Sequence, residues 1–288
     1  MSVNIQTIKD IKPFLLNRLG EIYPETEINA ITNIIIKTLF GTSKLQAMLM
    51  PELKITSVKK KEISRICEEL RSGKPLQYVL GETSFYNCTI RVDKSTLIPR
   101  PETEELVDLV IKENKDKIPA ILDIATGSGC IAIALAVNLP GAEVSAFDIS
   151  ADALEKAKEN ALLNKAAVAF FKADIFNPEL PEKKSFDIIV CNPPYVLESE
   201  KKLMAGNVLG FEPHAALFVP DADPLRFYKA VLFIAEKSLK VKGKIYFEIN
   251  ERMGQQGSLL LRESGFIDVE VIKDINGKDR ILKGVKNG

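Results

Sequence analysis

Short apolar stretches alternate with helix-like stretches from residue 118 to the end of the chain, and this alternation constrains the fold most. Seven stretches are rich in β-branched and aromatic residues and predict strands: 120–124, 143–147, 168–172, 187–191, 244–249, 269–272 and 281–285. The main helical patterns between them are 130–138, 151–164, 224–239 and 254–264. Strands that alternate with helices predict an α/β fold, in which a mostly parallel sheet carries helices on both faces.

The motif Asn192-Pro193-Pro194-Tyr195 directly follows the predicted strand 187–191. Neither proline can continue a strand, because proline has no N–H group and its φ is fixed. The motif is therefore held just beyond the carboxyl end of a strand, where open α/β sheets bind their ligands. The side-chain oxygen of Asn192 and the carbonyl oxygen of Pro193 can both accept hydrogen bonds from one NH2 group. Tyr195 can stack on the flat group that carries this nitrogen.

An amide or exocyclic amine is a poor nucleophile, because its lone pair is delocalised. The motif therefore predicts catalysis by orientation, together with hydrogen bonds that strengthen as the nitrogen becomes positive. No base with a shifted pKa is required.

A glycine-containing turn, Asp-Ile-Ala-Thr-Gly-Ser-Gly-Cys at 123–130, joins the first predicted strand to a helix. Gly127 and Gly129 permit a tight turn and a close approach of the backbone to a ligand. Asp148 ends the next predicted strand, and a carboxylate at that position can accept from both hydroxyls of a ribose. This arrangement predicts a nucleoside cofactor.

The same turn also fits the dinucleotide pattern G-x-G-x-x-A, so a hydride-transfer enzyme is an alternative. Asp123 counts against it, because a negative charge there would repel a pyrophosphate but suit the ammonium or sulfonium of S-adenosylmethionine. Asp174 and Ile175 end the third strand, where the carboxylate can accept from an adenine amino group and Ile175 can lie against the ring. Together these acids favour S-adenosylmethionine.

The first 74 residues predict a small helical bundle. Four sequence signals set the expected helix boundaries. Thr26 is predicted to cap the second helix, Ser43 to start a short third helix, Thr56 or Ser57 to start the last one, and Gly41 to end the second.

Residues 75–99 predict a β-hairpin that links the bundle to the α/β part, with Asn87-Cys88 as its turn. Thr103 is then predicted to cap the next helix. The segment 98–104 fits either a simple linker or a lip over the cofactor. At the end of a later strand, residues 247–250 (Phe-Glu-Ile-Asn) are expected to be structural rather than part of the substrate pocket.

Charge and cysteine content limit the classes of function. Lys plus Arg and Asp plus Glu balance at 39 each, which argues against a strongly basic nucleic-acid-binding protein but permits a local basic patch. The four cysteines form no C-x-x-C pair and His214 is the only histidine, so we expect neither a disulfide nor a metal site. No signal peptide and no apolar run of ~20 residues is found, so a cytoplasmic protein is expected.

Taken together, these motifs resemble the release-factor glutamine methyltransferases, which are class I S-adenosylmethionine-dependent enzymes. The resemblance covers nearly the whole chain. It rests on residues 75–81 with Phe85, 97–104, 126–129, 192–195, Glu212-Pro213 with Ala216-Leu217, and Gly277 with Asp279-Arg280. Asn-Pro-Pro-Tyr alone is not specific, since DNA adenine and RNA guanine N-methyltransferases share it, and the proline-rich 97–104 segment discriminates between them.

The resemblance implies a Rossmann-like class I methyltransferase sheet at 100–288, an N-terminal all-α substrate-recognition domain at 1–74 and a β-hairpin linker at 75–99. It implies methyl transfer from S-adenosylmethionine to the side-chain amide of the Gln in the Gly-Gly-Gln motif of class-1 peptide chain release factors, leaving S-adenosylhomocysteine. The implied cofactor residues are Ala125, Thr126, Gly127, Ser128, Gly129, Asp148, Asp174, Ile175 and Asn192. The implied substrate residues are Asn192, Pro193, Pro194 and Tyr195, of which Asn192, Pro193 and Tyr195 are catalytic.

Two departures from the family pattern stand out. Ala125 and Asn250 each occupy a position where the family usually has Gly. The expected partner is a release factor bound by a monomer, with no stable nucleic acid and no membrane. An N-methyltransferase acting on RNA or DNA is the main alternative, followed by the dinucleotide-dependent oxidoreductase and a non-catalytic binding protein.

Overall fold

The computed structural model describes residues 5–42, 44–179 and 185–288. The predicted helix start at Ser43 lies outside the described residues. The chain divides into two compact units, Met1–Leu80 and Gly81–Gly288.

The first unit is helical. After a 3-10 turn at Ile8–Asp10, its helices are α1 (Ile11–Leu19), α2 (Glu25–Phe40), α3 (Lys44–Leu49), α4 (Ser57–Arg71) and α5 (Leu76–Leu80). Apolar residues at helical spacing, such as Ile28, Ile31 and Ile35 on α2, form a buried core. Val79 lies in the same core, so the unit extends through α5 to Leu80.

The predicted helix caps of this unit have different outcomes. Thr56 caps α4, since its hydroxyl accepts from the Lys59 N–H, and Gly41 ends α2 in the left-handed conformation with φ of 63°. The prediction for Thr26 is wrong, because Pro24 is the N-cap and Thr26 lies in the first turn of α2. Proline before the first turn fits there, since the first N–H groups of a helix have no intrahelical partner.

A β-hairpin opens the second unit, formed by β1 (Glu82–Phe85) and β2 (Cys88–Arg91). The predicted hairpin is confirmed, but its turn is Tyr86–Asn87 instead of Asn87–Cys88. Both turn residues have positive φ, 41° and 63°, as the tightest two-residue hairpin turn requires. Cys88 is the first residue of β2 and is buried.

The α/β part follows, and its helices and strands agree with the predicted alternation. In chain order they are α6 (Pro101–Asn114), β3 (Ala120–Ile124), α7 (Cys130–Asn138), β4 (Glu143–Asp148), α8 (Ala151–Leu163), β5 (Val168–Lys172), β6 (Phe186–Cys191), β7 (Val196–Leu197), α9 (Gly206–Phe211), β8 (Phe218–Val219), α10 (Arg226–Ser238), β9 (Leu239–Glu248), α11 (Gly254–Glu263), β10 (Phe266–Lys273) and β11 (Asp279–Lys286).

Seven of these strands form one sheet in the order β10-β11-β9-β6-β3-β4-β5, in which only β11 runs antiparallel to its neighbours. The chain starts this sheet at β3, builds outward through β4 and β5, and returns to the other side of β3 with β6. Open parallel sheets bind ligands where the strand order reverses in this way. The crevice at the carboxyl ends of β3 and β6 is therefore the expected ligand site.

The core of this unit is built from the apolar strands and the helices that cover them. Tyr228 on α10 and Phe247 on β9 are fully buried and meet edge to face, with ring centroids 5.2 Å apart. No helix within the described ranges is long and apolar enough to cross a membrane.

Candidate functional site

The site is assembled at one edge of the sheet by the registers of β3, β4, β6 and β9. Ile124 pairs with both Phe147 and Cys191, and Cys191 pairs with Phe247. The residues that follow these strand ends therefore lie side by side. They are the glycine turn after β3, Asp148, the Asn192–Tyr195 motif and Glu248.

The two glycines of the turn, Gly127 and Gly129, have different structural roles. Gly127 has φ of 55° and open space where a Cβ atom would stand, so the backbone there is accessible to a ligand. Gly129 has φ of 80°, and a Cβ atom there would lie 3.0 Å from the Cβ of Ala157 on α8. Gly129 therefore permits close packing of α7 against α8, whereas Gly127 is the position that fits a bound group.

Ala125, where the family usually has Gly, adopts a left-handed conformation with φ of 57°. This region is strained for a residue with a side chain, which explains why glycine suits the position. The small methyl group of Ala125 packs against the buried core of the sheet. The departure therefore costs backbone strain and does not block the turn.

Asp123 is fully buried below the glycine turn. Its Oδ2 atom accepts from the Thr126 hydroxyl at 2.6 Å and from the Ala132 N–H at 3.2 Å. Its Oδ1 atom is the one buried side-chain polar atom without a hydrogen-bond partner among the described residues. Burial raises the pKa of this carboxyl to about 7, with the nearby Asp148 charge acting in the same direction. A buried acceptor without a donor suits a ligand that brings a cationic or N–H group.

Asp148 closes the glycine turn. Its two oxygens accept from the N–H groups of Gly127 at 2.8 Å and Ser150 at 2.9 Å. Burial raises the pKa of Asp148, and these backbone donors oppose the rise. Each carboxylate oxygen keeps a second lone pair for a ligand hydroxyl. The carboxylate therefore combines a structural contact with the ability to bind a ribose.

Asp174 and Ile175 follow β5 at the same edge of the sheet. The Oδ1 atom of Asp174 accepts from the Phe176 N–H at 2.9 Å, which fixes the loop. Ile175 is partly buried and packs against the sheet core. The second oxygen of Asp174 and the apolar face of Ile175 could therefore contact the adenine of a nucleoside ligand.

Asn192 is oriented by two neighbours from distant parts of the chain. Its Nδ2 atom donates to Glu248 Oε2 at 3.0 Å and to Thr103 Oγ1 at 3.2 Å. The nitrogen end of the amide therefore faces Glu248, as an ionised carboxylate requires because it only accepts hydrogen bonds. The oxygen end of Asn192 is then turned away from this network, and it is the end that can accept from a substrate N–H.

Glu248 is the centre of this network and is only 1% exposed. Besides Asn192, it accepts from the Thr103 hydroxyl at 2.6 Å and from the Tyr195 hydroxyl at 2.8 Å. Burial raises the pKa of Glu248, while the Thr103 and Tyr195 hydroxyls and the charge of Arg280 oppose the rise. Burial, reinforced by the Glu248 charge, also raises the pKa of Tyr195, so this tyrosine stays protonated and donates.

These contacts correct one prediction, the helix cap at Thr103, and bear on a second. Thr103 does not cap α6, because the N-cap of that helix is Arg100. The Thr103 hydroxyl instead donates to Glu248, which lies 145 residues later in the sequence. The sequence predicts a structural role for residues 247–250, and within this segment Glu248 contacts two residues of the Asn192–Tyr195 motif. Asn250 donates to the Tyr195 carbonyl oxygen at 3.3 Å.

Asn160 on α8 braces the glycine turn, and no sequence signal pointed to it. It is fully buried, and its Nδ2 atom donates to the Ser128 carbonyl oxygen at 2.9 Å and to the Arg91 carbonyl oxygen at 3.0 Å. Its Oδ1 atom accepts from the Arg91 N–H at 2.7 Å. A buried Asn one helix away from the turn is a signal only once the packing of α8 against β2 is known.

The segment before α6 is tied to the end of α9 by an ion pair whose carboxylate is buried. Arg100 donates to Glu212 at 2.6 Å, and the Ile98 N–H donates to the same carboxylate at 3.2 Å. Glu212 is 4% exposed. The pair joins the proline-rich segment to the region that follows the Asn192–Tyr195 motif in the chain.

Among the described residues, no group of three or more His, Cys, Asp or Glu side chains could hold a metal ion. Burial raises the pKa of the Cys130 thiol to about 12 and that of Cys191 well above its ordinary value. Neither thiol is a nucleophile near neutral pH.

The site residues described above, taken together, can hold a nucleoside ligand with a cationic tail beside an amide oxygen and a tyrosine ring.

Comparison with known proteins shows which family the chain resembles. Residues 103–212 match the model of the methyltransferase small domain, and residues 16–81 match the model of the PrmC N-terminal domain. The release factor glutamine methyltransferase of Bacteroides thetaiotaomicron is 44% identical over 272 residues, which are 94% of this chain and 98% of that protein. The enzyme of the same name from Flavobacterium psychrophilum is 43% identical over 280 residues, 96% of this chain and 98% of that protein.

The chain belongs to the release factor glutamine methyltransferase family. Identity at this level extends over both units, so the helical unit belongs to the family pattern as well as the sheet. The predicted family is confirmed.

Solved structures agree with the fold. A methyltransferase from Pyrococcus furiosus aligns with a TM-score of 0.54 at 17% identity, covering 79% of this chain and 99% of that one. The Thermus thermophilus 16S rRNA N2 G1207 methyltransferase, solved with AdoMet and guanosine, aligns with a TM-score of 0.51 at 18% identity, covering 72% and 50%. At these identities the likeness establishes a Rossmann-like methyltransferase fold and no more.

Proposed function

We propose that this chain transfers a methyl group from S-adenosylmethionine to the side-chain amide nitrogen of a glutamine in a peptide chain release factor. The target is the Gln of the Gly-Gly-Gln motif of class-1 release factors. The observation that carries the proposal is the orientation of Asn192, whose nitrogen is bound by Glu248 and Thr103 while its oxygen is free for a substrate N–H.

The residues of the glycine turn fit S-adenosylmethionine. The unpaired Oδ1 atom of buried Asp123 suits the ammonium of its methionine part, and the open space at Gly127 leaves room beside the backbone. Asp148 accepts from the ribose hydroxyls, and Asp174 with Ile175 holds the adenine. Ala125, Thr126, Ser128 and Gly129 complete the turn.

When bound, S-adenosylmethionine supplies an electrophilic methyl group. The chain contributes by holding the acceptor nitrogen in line with that group. Asn192 and the Pro193 carbonyl oxygen accept from the substrate NH2 group, Tyr195 lies against the amide plane, and Pro194 keeps the backbone stiff. Such orientation supplies roughly 7–11 kcal/mol of a barrier. The nitrogen would form a bond to the methyl carbon as the sulfonium–methyl bond breaks, leaving S-adenosylhomocysteine, and would release one N–H proton to water.

The helical unit, residues 1–80, is proposed to bind the release factor outside the reacting glutamine. It has its own apolar core, and residues 16–81 match the model of the PrmC N-terminal domain. We expect the active species to be a monomer that acts in the cytoplasm, where release factors are used, without stable binding to nucleic acid.

Transfer of labelled methyl from S-adenosylmethionine to purified release factors tests the proposal, with tRNA, rRNA and DNA present as competitors. We expect label on the release factor and none on the nucleic acids. Label on RNA or DNA alone would replace this proposal by a nucleic-acid N-methyltransferase. Calorimetric titration should detect S-adenosylhomocysteine binding, and binding of NAD alone would contradict the cofactor assignment.

A further inference from the structure

We propose that Glu248 is a positioning residue that selects which end of the Asn192 amide faces the substrate. The inference rests on the proposed function, since it concerns the amide that would hold the substrate nitrogen. Glu248 does not touch the reacting atoms in this account. It acts through the direction of hydrogen bonds.

The two ends of an Asn side chain have almost the same shape, so packing alone does not choose between them. The choice matters here because a substrate amide presents an NH2 group. An Asn192 oxygen facing that group accepts from it, whereas an Asn192 nitrogen would set donor against donor. A flipped Asn192 would therefore repel the group that must be held.

The polarity of the network around Glu248 removes this ambiguity. Three groups donate to the Glu248 oxygens, as an ionised carboxylate requires because it has no hydrogen to donate. These are Asn192 Nδ2 at 3.0 Å, Thr103 Oγ1 at 2.6 Å and Tyr195 Oη at 2.8 Å. Since the Thr103 hydrogen is used on Glu248, the same hydroxyl oxygen accepts the other hydrogen bond from Asn192.

Glu248 is shielded from bulk water, so water cannot replace the protein groups that donate to its carboxyl oxygens. It is 1% exposed and lies beside Asn192 because Cys191 and Phe247 are paired in the sheet. The Glu248 carbonyl oxygen is also bound by the Tyr228 hydroxyl, at 3.2 Å, which fixes the backbone at the strand end. The same carboxylate, on a backbone fixed at the strand end, therefore binds both Asn192 and Tyr195.

An exchange of polarity tests the inference. In Asn192→Asp the new carboxylate faces Glu248, and we expect kcat/KM for release-factor methylation to fall about 100-fold, a loss typical for one misdirected transition-state hydrogen bond. In Asn192→Asp with Glu248→Gln, the amide nitrogen introduced at position 248 can donate to one oxygen of the carboxylate introduced at position 192. The other oxygen of that carboxylate then faces the substrate, and the total charge of the pair is unchanged. We expect this double variant to recover to within about tenfold of the wild type.

The matched control is Asn192→Asp with Glu248→Ala, which also removes one of the two facing carboxylates but supplies no donor. It should remain as inactive as Asn192→Asp alone. Equal recovery in both double variants would mean that only charge repulsion mattered, and it would overturn the inference. A double variant with Glu248→Gln that gains nothing over Asn192→Asp would overturn it as well.

A measurement on the wild-type protein separates this inference from the proposed function. In NMR spectra of the protein labelled with 15N at asparagine, the Asn192 side-chain NH2 group should exchange with water at least tenfold more slowly than that of an exposed residue such as Asn276. This readout needs no substrate. If the wild type fails to methylate release factors, the proposed function fails, but a protected NH2 group still supports the role of Glu248 and a rapidly exchanging one refutes it.

Discussion

Single residues carry most of the chemistry of this site, and burial decides how each behaves. Asp123, Asp148 and Glu248 are three carboxyls at one sheet edge, and burial raises the pKa of each. Glu248 is satisfied by three donors, whereas one oxygen of Asp123 has no partner among the described residues. This contrast separates a carboxyl whose hydrogen bonds lie within the protein from one that keeps a buried acceptor unused.

The residues of the site can be predicted from the sequence, but not all of their partners can. Asn192, Asp123 and Gly127 follow strands that periodicity identifies, so their position at the sheet edge is predictable. The contact between Thr103 and Glu248 depends on how α6 packs against β9, which a local pattern does not contain. The local pattern at Thr103 instead predicts a helix cap, a role that Thr near a helix start often has.

Asp123 is predicted to make stability depend on pH in the absence of ligand. Its pKa is about 7 in the folded chain against 3.8 as the ordinary value, so the folded state favours the protonated form. This contribution is full below about pH 4 and is lost as the pH rises towards 7. From about pH 5 to about pH 8, the free energy of unfolding of the wild type should fall by about 2–3 kcal/mol relative to Asp123→Asn. Chemical denaturation at several pH values measures this difference, and an equal pH dependence of both proteins would contradict it.

Ligand binding should show the opposite trend at the same residue. If ionised Asp123 binds the cofactor ammonium, affinity for S-adenosylhomocysteine should rise between about pH 6 and about pH 8 in the wild type and stay nearly flat in Asp123→Asn. Calorimetry at these pH values provides the measurement, since the two proteins differ in one group only.

Ala125 offers a second test at this scale, because its φ of 57° is strained. Ala125→Gly relieves the strain but gives the unfolded chain more freedom, and the two effects nearly cancel. We expect its free energy of unfolding to stay within about 1 kcal/mol of the wild type. Ala125→Val, with a β-branched side chain in the same conformation, should lose about 2 kcal/mol. Equal stability of the Val and Gly variants, measured by urea denaturation, would show that the backbone is not constrained there.

At the scale of helices and strands, the pattern of the chain predicts type well and boundaries less well. All seven predicted strands lie in the main sheet, because continuous apolar runs are typical of strands buried on both sides. The region between β6 and α10 is not predicted in detail. Its β7 and β8 are two residues each and pair with one another, so their pattern is too short for periodicity to detect.

The ion pair between Arg100 and Glu212 is predicted to stabilise this part of the site. Glu212 is buried and Arg100 is about one-third exposed, so removing the negative charge leaves a partly desolvated guanidinium without its partner. We expect Glu212→Gln to lower the free energy of unfolding by about 1–3 kcal/mol. The matched control is Glu155→Gln, whose pair with Lys158 is exposed and should contribute less than about 0.5 kcal/mol. Losses of equal size in the two variants would contradict the structural role of the buried pair.

At the scale of the whole molecule, the chain forms two compact units with separate apolar cores. The α/β alternation and the nucleoside turn predict the second unit and its chemistry from residue patterns alone. The helical unit is predicted only as helical, because amphipathic helices specify burial and not a partner. The nature of the substrate therefore comes from the family to which the whole chain belongs, while the geometry of Asn192 explains how a planar amide would be held.

The central claim is tested most directly by mass spectrometry of a class-1 release factor after incubation with the protein and S-adenosylmethionine. We predict a gain of one methyl group, located by fragmentation on the Gln of the Gly-Gly-Gln motif. The gain should disappear in Asn192→Ala. Methylation of the same Gln that persists undiminished in Asn192→Ala, or methylation at another residue by the wild type, would contradict the account.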